Sequence, residues 1–315
     1  MAKYIKTEQG YIDMPNFALA PFKSECEPYL TFSSLNNFTL SVNDRTKHWD
    51  GTLEYFTSDK TWTTWDGTNH LHAVSDYGGY VLYLRGIRNT VITGRNRNYK
   101  WILNGNDIAC VGNIENLLDY TIVESGDHPT LADDCYAYMF QGCTALTQAP
   151  SLPSTTLANN CYACMFMGCT ALTQAPSLPA TTLALNCYSS MFMGCTSLKL
   201  SSTKTDEYTQ AYRIPSSGDG VTATNALTNM FSSTGGTFTG TPEINTTYYL
   251  GSDNMIVRET EIATLNGYVG SMIDTAIGEY ADTAEYIIHS STSGSTKKFK
   301  IIVDDSGVLT ATEVT

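Results

Sequence analysis

The stretch from Leu131 to Leu200 writes one pattern three times. LADDCYAYMFQGCTALTQAPSLPSTT (131–156) is followed by LANNCYACMFMGCTALTQAPSLPATT (157–182), and a third copy, LALNCYSSMFMGCTSLKLSS, starts at Leu183 and decays after Cys195. Cys135, Cys161 and Cys187 are 26 residues apart, and Cys143, Cys169 and Cys195 keep the same interval. A fixed period between about 20 and 50 residues marks a stacked array, in which each unit buries its apolar face only against its neighbours. One such unit has too little apolar surface to offset the entropy of ordering its own backbone. The stack, not the unit, is therefore the entity that folds.

Each copy divides into two halves. In LADDCYAYMFQGC, Leu131, Cys135, Met139 and Phe140 fall at i, i+4, i+8 and i+9, a spacing that predicts a short helix closed by Gly142. TALTQAPSLP cannot be helical because of its two prolines, and reads as a strand at Ala145–Gln148 followed by an extended turn. Residues 201–221 look like an insertion. A degenerate fourth copy follows at Asn225–Phe231, where Met230 and Phe231 take the places of Met191 and Phe192, and GGTFTGTPEI closes the array. Six of the nine cysteines occupy the two repeat columns, so they are expected to fill the core as small apolar residues. Disulfides between rungs stay open, though the odd count argues against a disulfide framework. A spacing of eight within a repeat is not a metal-ligand spacing.

The flanking segments have other periods. Residues 1–29 read as an irregular arm with a short strand at Lys3–Ile5. Residues 30–110 alternate with turn signals every eight to twelve residues (YLTFSS, NNFTLSV, GTLEYFTS, TWTTWDG, GYVLYLRG, NTVITG, YKWILNG) and predict an immunoglobulin-like β-sandwich. Trp49, Trp62, Trp65 and Trp101 in this region are either core residues or platforms for sugar rings. Ile114, Leu117 and Leu118 predict a short helix capping the first rung. Within residues 251–290, Ile262, Leu265, Val269, Met272 and Ala276 alternate three and four apart, which is heptad spacing. That helix either packs on its own chain or builds a parallel homotrimer. Residues 291–315 form a β-hairpin around Asp304-Asp305-Ser306-Gly307.

Composition narrows the function. The chain has 315 residues and a formal charge of −13, and its densest basic stretch, Arg85–Lys100, is short. Nucleic-acid binding needs a positive face and is not expected. No apolar run is long enough for a membrane span, and the first residues lack the apolar core of an export signal. The five histidines are scattered, and neither a phosphate loop, a nucleophile elbow nor a metal-binding histidine pair is present. No enzymatic activity, cofactor or metal is expected.

The rung GCTALTQAPSLP with CY…MF…GC resembles the BspA-like class of leucine-rich repeat, over about 70 residues. Copies of this wording are similar to those in gut-bacterial surface proteins and in the fibre-like proteins of their phages. The resemblance implies a solenoid over 111–250 with a parallel strand on one face of each rung and a short helix on the other. The tail STSGSTKKFKIIVDDSGVLTATEV resembles the end of phage fibre proteins, head fibres in particular. The fold expected is thus mainly β with short helices: sandwich, leucine-rich repeat solenoid, then helix and hairpin.

The implied function is a non-enzymatic virion fibre or decoration, head fibre favoured. It would be made in the host cytoplasm, attach to other virion proteins of capsid or tail, form a homotrimer, and adhere to a bacterial surface glycan or protein. A tail-fibre receptor-binding protein and a bacterial cell-surface adhesin are the alternatives, with a glycan-depolymerising enzyme behind them. Candidate contact residues are those that drift between copies while the core stays fixed: Asp133 and Asn159, Asp134 and Asn160, Tyr138 and Cys164, Gln141 and Met167, with Ser190 and Met193 in the third copy. Ser154 and Ala180 drift as well and are expected outside. Tyr136, Tyr162 and Tyr188 are constant, and either pack between rungs or form an exposed ladder.

Overall fold

The structure is a computed structural model, and it describes residues 29–251 except 58–60 and 77–78, together with five strands near the termini. The chain divides into two compact units, one of Met1–Cys26 with Val257–Thr315 and one of Glu27–Ile256. The first element is a hairpin in which β1 (Lys3–Thr7) pairs antiparallel with β2 (Gly10–Met14), Ile5 opposite Ile12. The arm expected to be irregular thus carries two strands, because aromatic and β-branched residues recur in both stretches.

The larger unit begins with β3 (Leu30–Ser34), β4 (Thr39–Val42), β5 (Thr52–Phe56), β6 (Trp62–Trp65), β7 (Leu71–His72), β8 (Val74–Asp76), β9 (Gly79–Ile87), β10 (Trp101–Asn104) and β11 (Ile108–Val111). They form two sheets. One runs β12 (Leu146–Gln148)–β11–β3–β9–β5–β6 with β8 also on β9, and the other runs β10–β4–β7. Strand β12 comes from the first repeat and pairs parallel with β11. Alternation along the strands sends Leu30, Phe32, Leu53, Trp65, Leu82 and Leu84 of one sheet and Leu40, Val42, Trp101 and Leu103 of the other into one core. Trp101 joins the sheets, its ring centroid 6.5 Å from Phe32 and 5.7 Å from Trp65. NTVITG, expected as a strand, forms none. Its Ile92 and Thr93 N–H groups instead donate to the Cys135 carbonyl, outside any strand ladder.

Helix α1 (Asn116–Glu124) lies across β9 and buries Leu117 and Leu118. Asp119 interrupts it with φ −154° and ψ 102°. Its carboxylate accepts from the Thr121 backbone N–H and hydroxyl at 3.1 and 2.6 Å, so it caps the second half of the helix from within. Gly86 of β9 lies directly beneath, where a Cβ would overlap the Leu117 carbonyl oxygen.

The three copies stack, but their first halves are not helices. They are runs of turns with a residue of positive φ every fourth position: Asp134, Tyr138 and Gly142 in the first copy, Asn160, Cys164 and Gly168 in the second, Asn186, Ser190 and Gly194 in the third. Backbone N–H groups alternate between two partners. Tyr136, Tyr138, Phe140 and Gly142 donate to carbonyls of the next copy, at Cys161, Ala163, Met165 and Met167, while Ala137, Met139, Gln141 and Cys143 close turns three residues back. Four-residue turns put Leu131, Cys135 and Met139 on one side as a helix would, which is why the spacing reads as helical. The ladder satisfies the backbone between rungs instead of within one.

The fourth copy continues the ladder, since Tyr188, Ser190, Phe192 and Gly194 donate to Ala226, Thr228, Met230 and Ser232. Phe231 and Gly240 then pair in an antiparallel bridge that ends the series. At the other end, residues 92–114 act as a preceding rung. Trp101 N–H donates to Met139, Ile108 N–H to Ala145 and Ile114 N–H to Ser151. One core therefore runs from residue 30 to residue 250, across the boundary between residues 110 and 111. The segment after the third copy is part of it: the parallel β11–β12 pairing has its counterpart in a third, four-stranded sheet, β14 (Tyr208–Arg213)–β16 (Thr247–Gly251)–β13 (Lys199–Ser201)–β15 (Gly235–Gly236), where β13 and β15 are parallel and whose Tyr212 ring lies 6.0 Å from Phe231.

In the terminal unit, β18 (Lys298–Val303) lies between β17 (Tyr286–His289) and β19 (Leu309–Val314), antiparallel to both. The expected helix with Ile262, Leu265, Val269, Met272 and Ala276 lies outside the described residues.

Candidate binding surfaces

Three aromatic and sulfur columns occupy the inside of the stack. Phe140, Phe166, Phe192 and Phe231 stack at 5.5–5.6 Å between ring centroids, with planes within 12°. Tyr136, Tyr162 and Tyr188 stack at 5.5 and 5.9 Å and are buried, so the exposed tyrosine ladder is excluded. Each cysteine of the second column donates its thiol one rung back: Cys143 to the Trp101 carbonyl at 3.4 Å, Cys169 to Phe140 at 3.1 Å and Cys195 to Phe166 at 3.0 Å. All eight described cysteines are free. Burial pushes the thiols of Cys143, Cys187 and Cys195 up to about 12, which keeps them protonated and able to donate.

The drifting positions lie on the outside of the turn run. Asp133 is exposed, and Asp134, Tyr138, Gln141, Asn159, Asn160, Cys164, Met167, Ser190 and Met193 are partly exposed. Asp134, Tyr138, Asn160, Cys164 and Ser190 have positive φ, which turns them away from the core. They bond mainly to one another and to the neighbouring rung. Asp133 accepts from the Asn159 backbone N–H at 2.9 Å, Asp134 pairs with Arg95 at 3.2 Å, and Arg97 lies 5.4 Å over the Tyr138 ring. The polar groups of this surface are thus largely engaged within it and with Arg95 and Arg97. Ser154 and Ala180, expected outside, are buried at the strand side, where the Ser154 hydroxyl donates to the Thr156 carbonyl.

Of the four tryptophans, Trp49, Trp65 and Trp101 are core residues. Trp62 differs, because it lies three positions before Trp65 on β6, an odd step that points it to the opposite face of the sheet. That outer face carries Glu54 and Phe56 of β5, Trp62 of β6 and Tyr83 and Arg85 of β9, with Phe56 paired opposite Trp62 and Glu54 opposite Arg85. The Arg85 guanidinium lies 4.1 Å from the Trp62 ring centroid, 4.4 Å from that of Tyr120 on α1 and 5.5 Å from that of Tyr29. Tyr29 and Phe56 meet Trp62 edge-on at 4.7 and 5.3 Å. Arg85 Nε donates to Glu54 Oε2 at 2.7 Å. The ion pair is mostly covered, its side chains 15% and 18% exposed, while Tyr29, Phe56, Trp62 and Tyr120 are half-buried. Sequence reasoning missed this cluster because it joins residues up to 91 positions apart through strand register and helix placement.

Glu115 is fully buried, with His128 Nδ1 2.7 Å from its Oε2. An open groove of about 580 Å³ runs along the proline half, lined by Gln148–Pro153, Pro176, Ser177 and Pro179 with Val111 and Gly112. Among the described residues, no group of three or more His, Cys, Asp or Glu is arranged to hold a metal ion, and no helix is long and apolar enough to cross a membrane. Compared with known protein families, curated proteins and solved structures, the chain matches none.

Proposed function

We propose that the chain is a non-enzymatic phage virion protein, a head fibre or decoration that projects from the particle and adheres to bacteria or their glycans. The observation that carries this reading is the continuous core of residues 30–250, in which four stacked copies extend a β-sheet region without a break. A core built by repetition suits a spacer that holds a contact surface away from its anchor. We read residues 30–110 as an immunoglobulin-like sandwich and the stack as a leucine-rich repeat solenoid of the BspA-like class. Residues 262–276 are the proposed trimerisation helix.

Immunogold electron microscopy of particles, with antibody raised against the purified chain, tests the assignment. Label on the capsid supports it. Label on the tail favours a tail-fibre receptor-binding protein, and label only on the bacterial envelope favours a cell-surface adhesin. Sedimentation of the full chain at micromolar concentration should give a trimer, and a monomer would remove the trimeric part of the reading.

A further inference from the structure

We propose that the aromatic cluster around Arg85 is a binding site for an uncharged pyranose of a surface glycan. The inference rests on the adhesive reading above and assigns it a place and a ligand class.

Three observations point there. First, the cluster is half-open, with its rings set at 60–69° to one another around the Arg85 guanidinium. Arg85 is held between Trp62 and Tyr120, and Tyr29 and Phe56 close its flanks, yet all four rings remain half-buried. β6, which bears Trp62, is the edge of its sheet, so no described strand lies beyond it. Aromatic faces of this kind take the C–H face of a sugar ring, since they offer large apolar area at little entropic cost.

Second, the ion pair leaves hydrogen-bonding groups free. Only Arg85 Nε and Glu54 Oε2 are joined. Arg85 Nη1 and Nη2 and Glu54 Oε1 make no hydrogen bond to any described residue. Two donors and an acceptor side by side match a pair of adjacent sugar hydroxyls, each of which can donate and accept. A cluster serving only to cover the sheet would be satisfied by an aliphatic residue at position 85, with no buried charge to neutralise.

Third, the charge balance selects the ligand. Glu54 already neutralises Arg85, and the whole chain carries −13. Acidic sugars such as uronic acids would meet repulsion without a free cation to bind them.

The test uses the full chain. Saturation-transfer NMR and tryptophan fluorescence would be recorded with methyl glycosides of glucose, galactose, mannose, N-acetylglucosamine and glucuronic acid. The expected result is saturable binding of at least one neutral glycoside and none of the glucuronide. Trp62→Ala and Arg85→Leu should each weaken it about tenfold or more, while Trp62→Phe, which keeps a ring, should weaken it less. Circular dichroism and melting would establish that each variant is folded, and Trp62→Phe keeps the test valid if Trp62→Ala is not. Binding that is unchanged in these variants, binding of the glucuronide alone, or no binding of any glycoside would overturn the proposal. So would a change of oligomeric state in Trp62→Phe, which would make the face a contact between copies of the chain. The outcome is independent of particle labelling: a labelled particle with no glycoside binding removes this site and leaves the virion reading intact.

Discussion

Positive φ at every fourth residue is the local device on which the stack depends, and the residues there differ in how well they suit it. Asn186, Asn225 and Asn229 adopt this region readily, and Gly142, Gly168 and Gly194 do so without strain. Tyr138, Cys164 and Ser190 do not, since a left-handed conformation costs an ordinary residue about 1–2 kcal/mol. Ser190→Asn, which copies what Asn229 does one rung on, should raise stability by up to about 1 kcal/mol in urea unfolding. A second prediction concerns the thiols. Unfolded thiols ionise near the ordinary value of 9.0, whereas buried Cys143, Cys187 and Cys195 reach about 12. The folded chain therefore keeps protons that the unfolded chain releases. Stability from these groups is complete below pH 9 and is lost as pH rises toward 12. Melting temperature should fall across that window, and stay flat across it if the columns are not buried. Cys164 is the least buried described cysteine, and although desolvation raises its thiol too, it should react with a thiol reagent faster than the other seven, and Cys164→Ser should remove that phase.

At the scale of elements, what the chain reveals by itself follows from how local each signal is. Strands β3, β4, β5, β6, β9 and β10 were legible from alternation, and the fourth copy from Met230 and Phe231 alone. The turn run reads as helix in the sequence because both conformations bring residues i and i+4 to one side. Only the left-handed positions separate the two, and in each copy sequence marks just the outer pair, an Asp or Asn and a Gly eight residues apart, while Tyr138, Cys164 and Ser190 between them carry no such mark. The preceding rung at residues 92–114 was invisible because it shares geometry with the repeats but not wording. The Arg85 cluster had a faint signal, the second alternation Glu54-x-Phe56 and Tyr83-x-Arg85 on the face opposite the core. The contact between α1 and β9 gives a test at this scale. Gly86→Ala would drive a methyl group into the Leu117 carbonyl and toward the Asn89 side chain that bonds it. It should cost about 1–3 kcal/mol, measured by denaturant unfolding, and a neutral effect would mean that the helix does not approach the strand so closely.

Across the larger unit, one aromatic line connects what the sequence divides. Trp49 of the β4–β5 connection and Trp65 and Trp101 of the sheets continue into Phe140, Phe166, Phe192 and Phe231 of the stack, each ring within 6.0 Å of the next. Glu27–Ile256 is one compact unit, and with this line as its spine it should unfold as one cooperative unit. Phe166→Ala removes a ring from the middle and should cost about 3–5 kcal/mol. Native-state hydrogen exchange of Phe166→Ala in the full chain is the direct measurement. The account predicts that the most protected amides at both ends, those of Phe32 and Leu82 in the sheets and those of Phe192 and Met193 in the stack, lose protection together and by the same free energy. Loss confined to residues 131–250, with Phe32 and Leu82 unchanged, would contradict it.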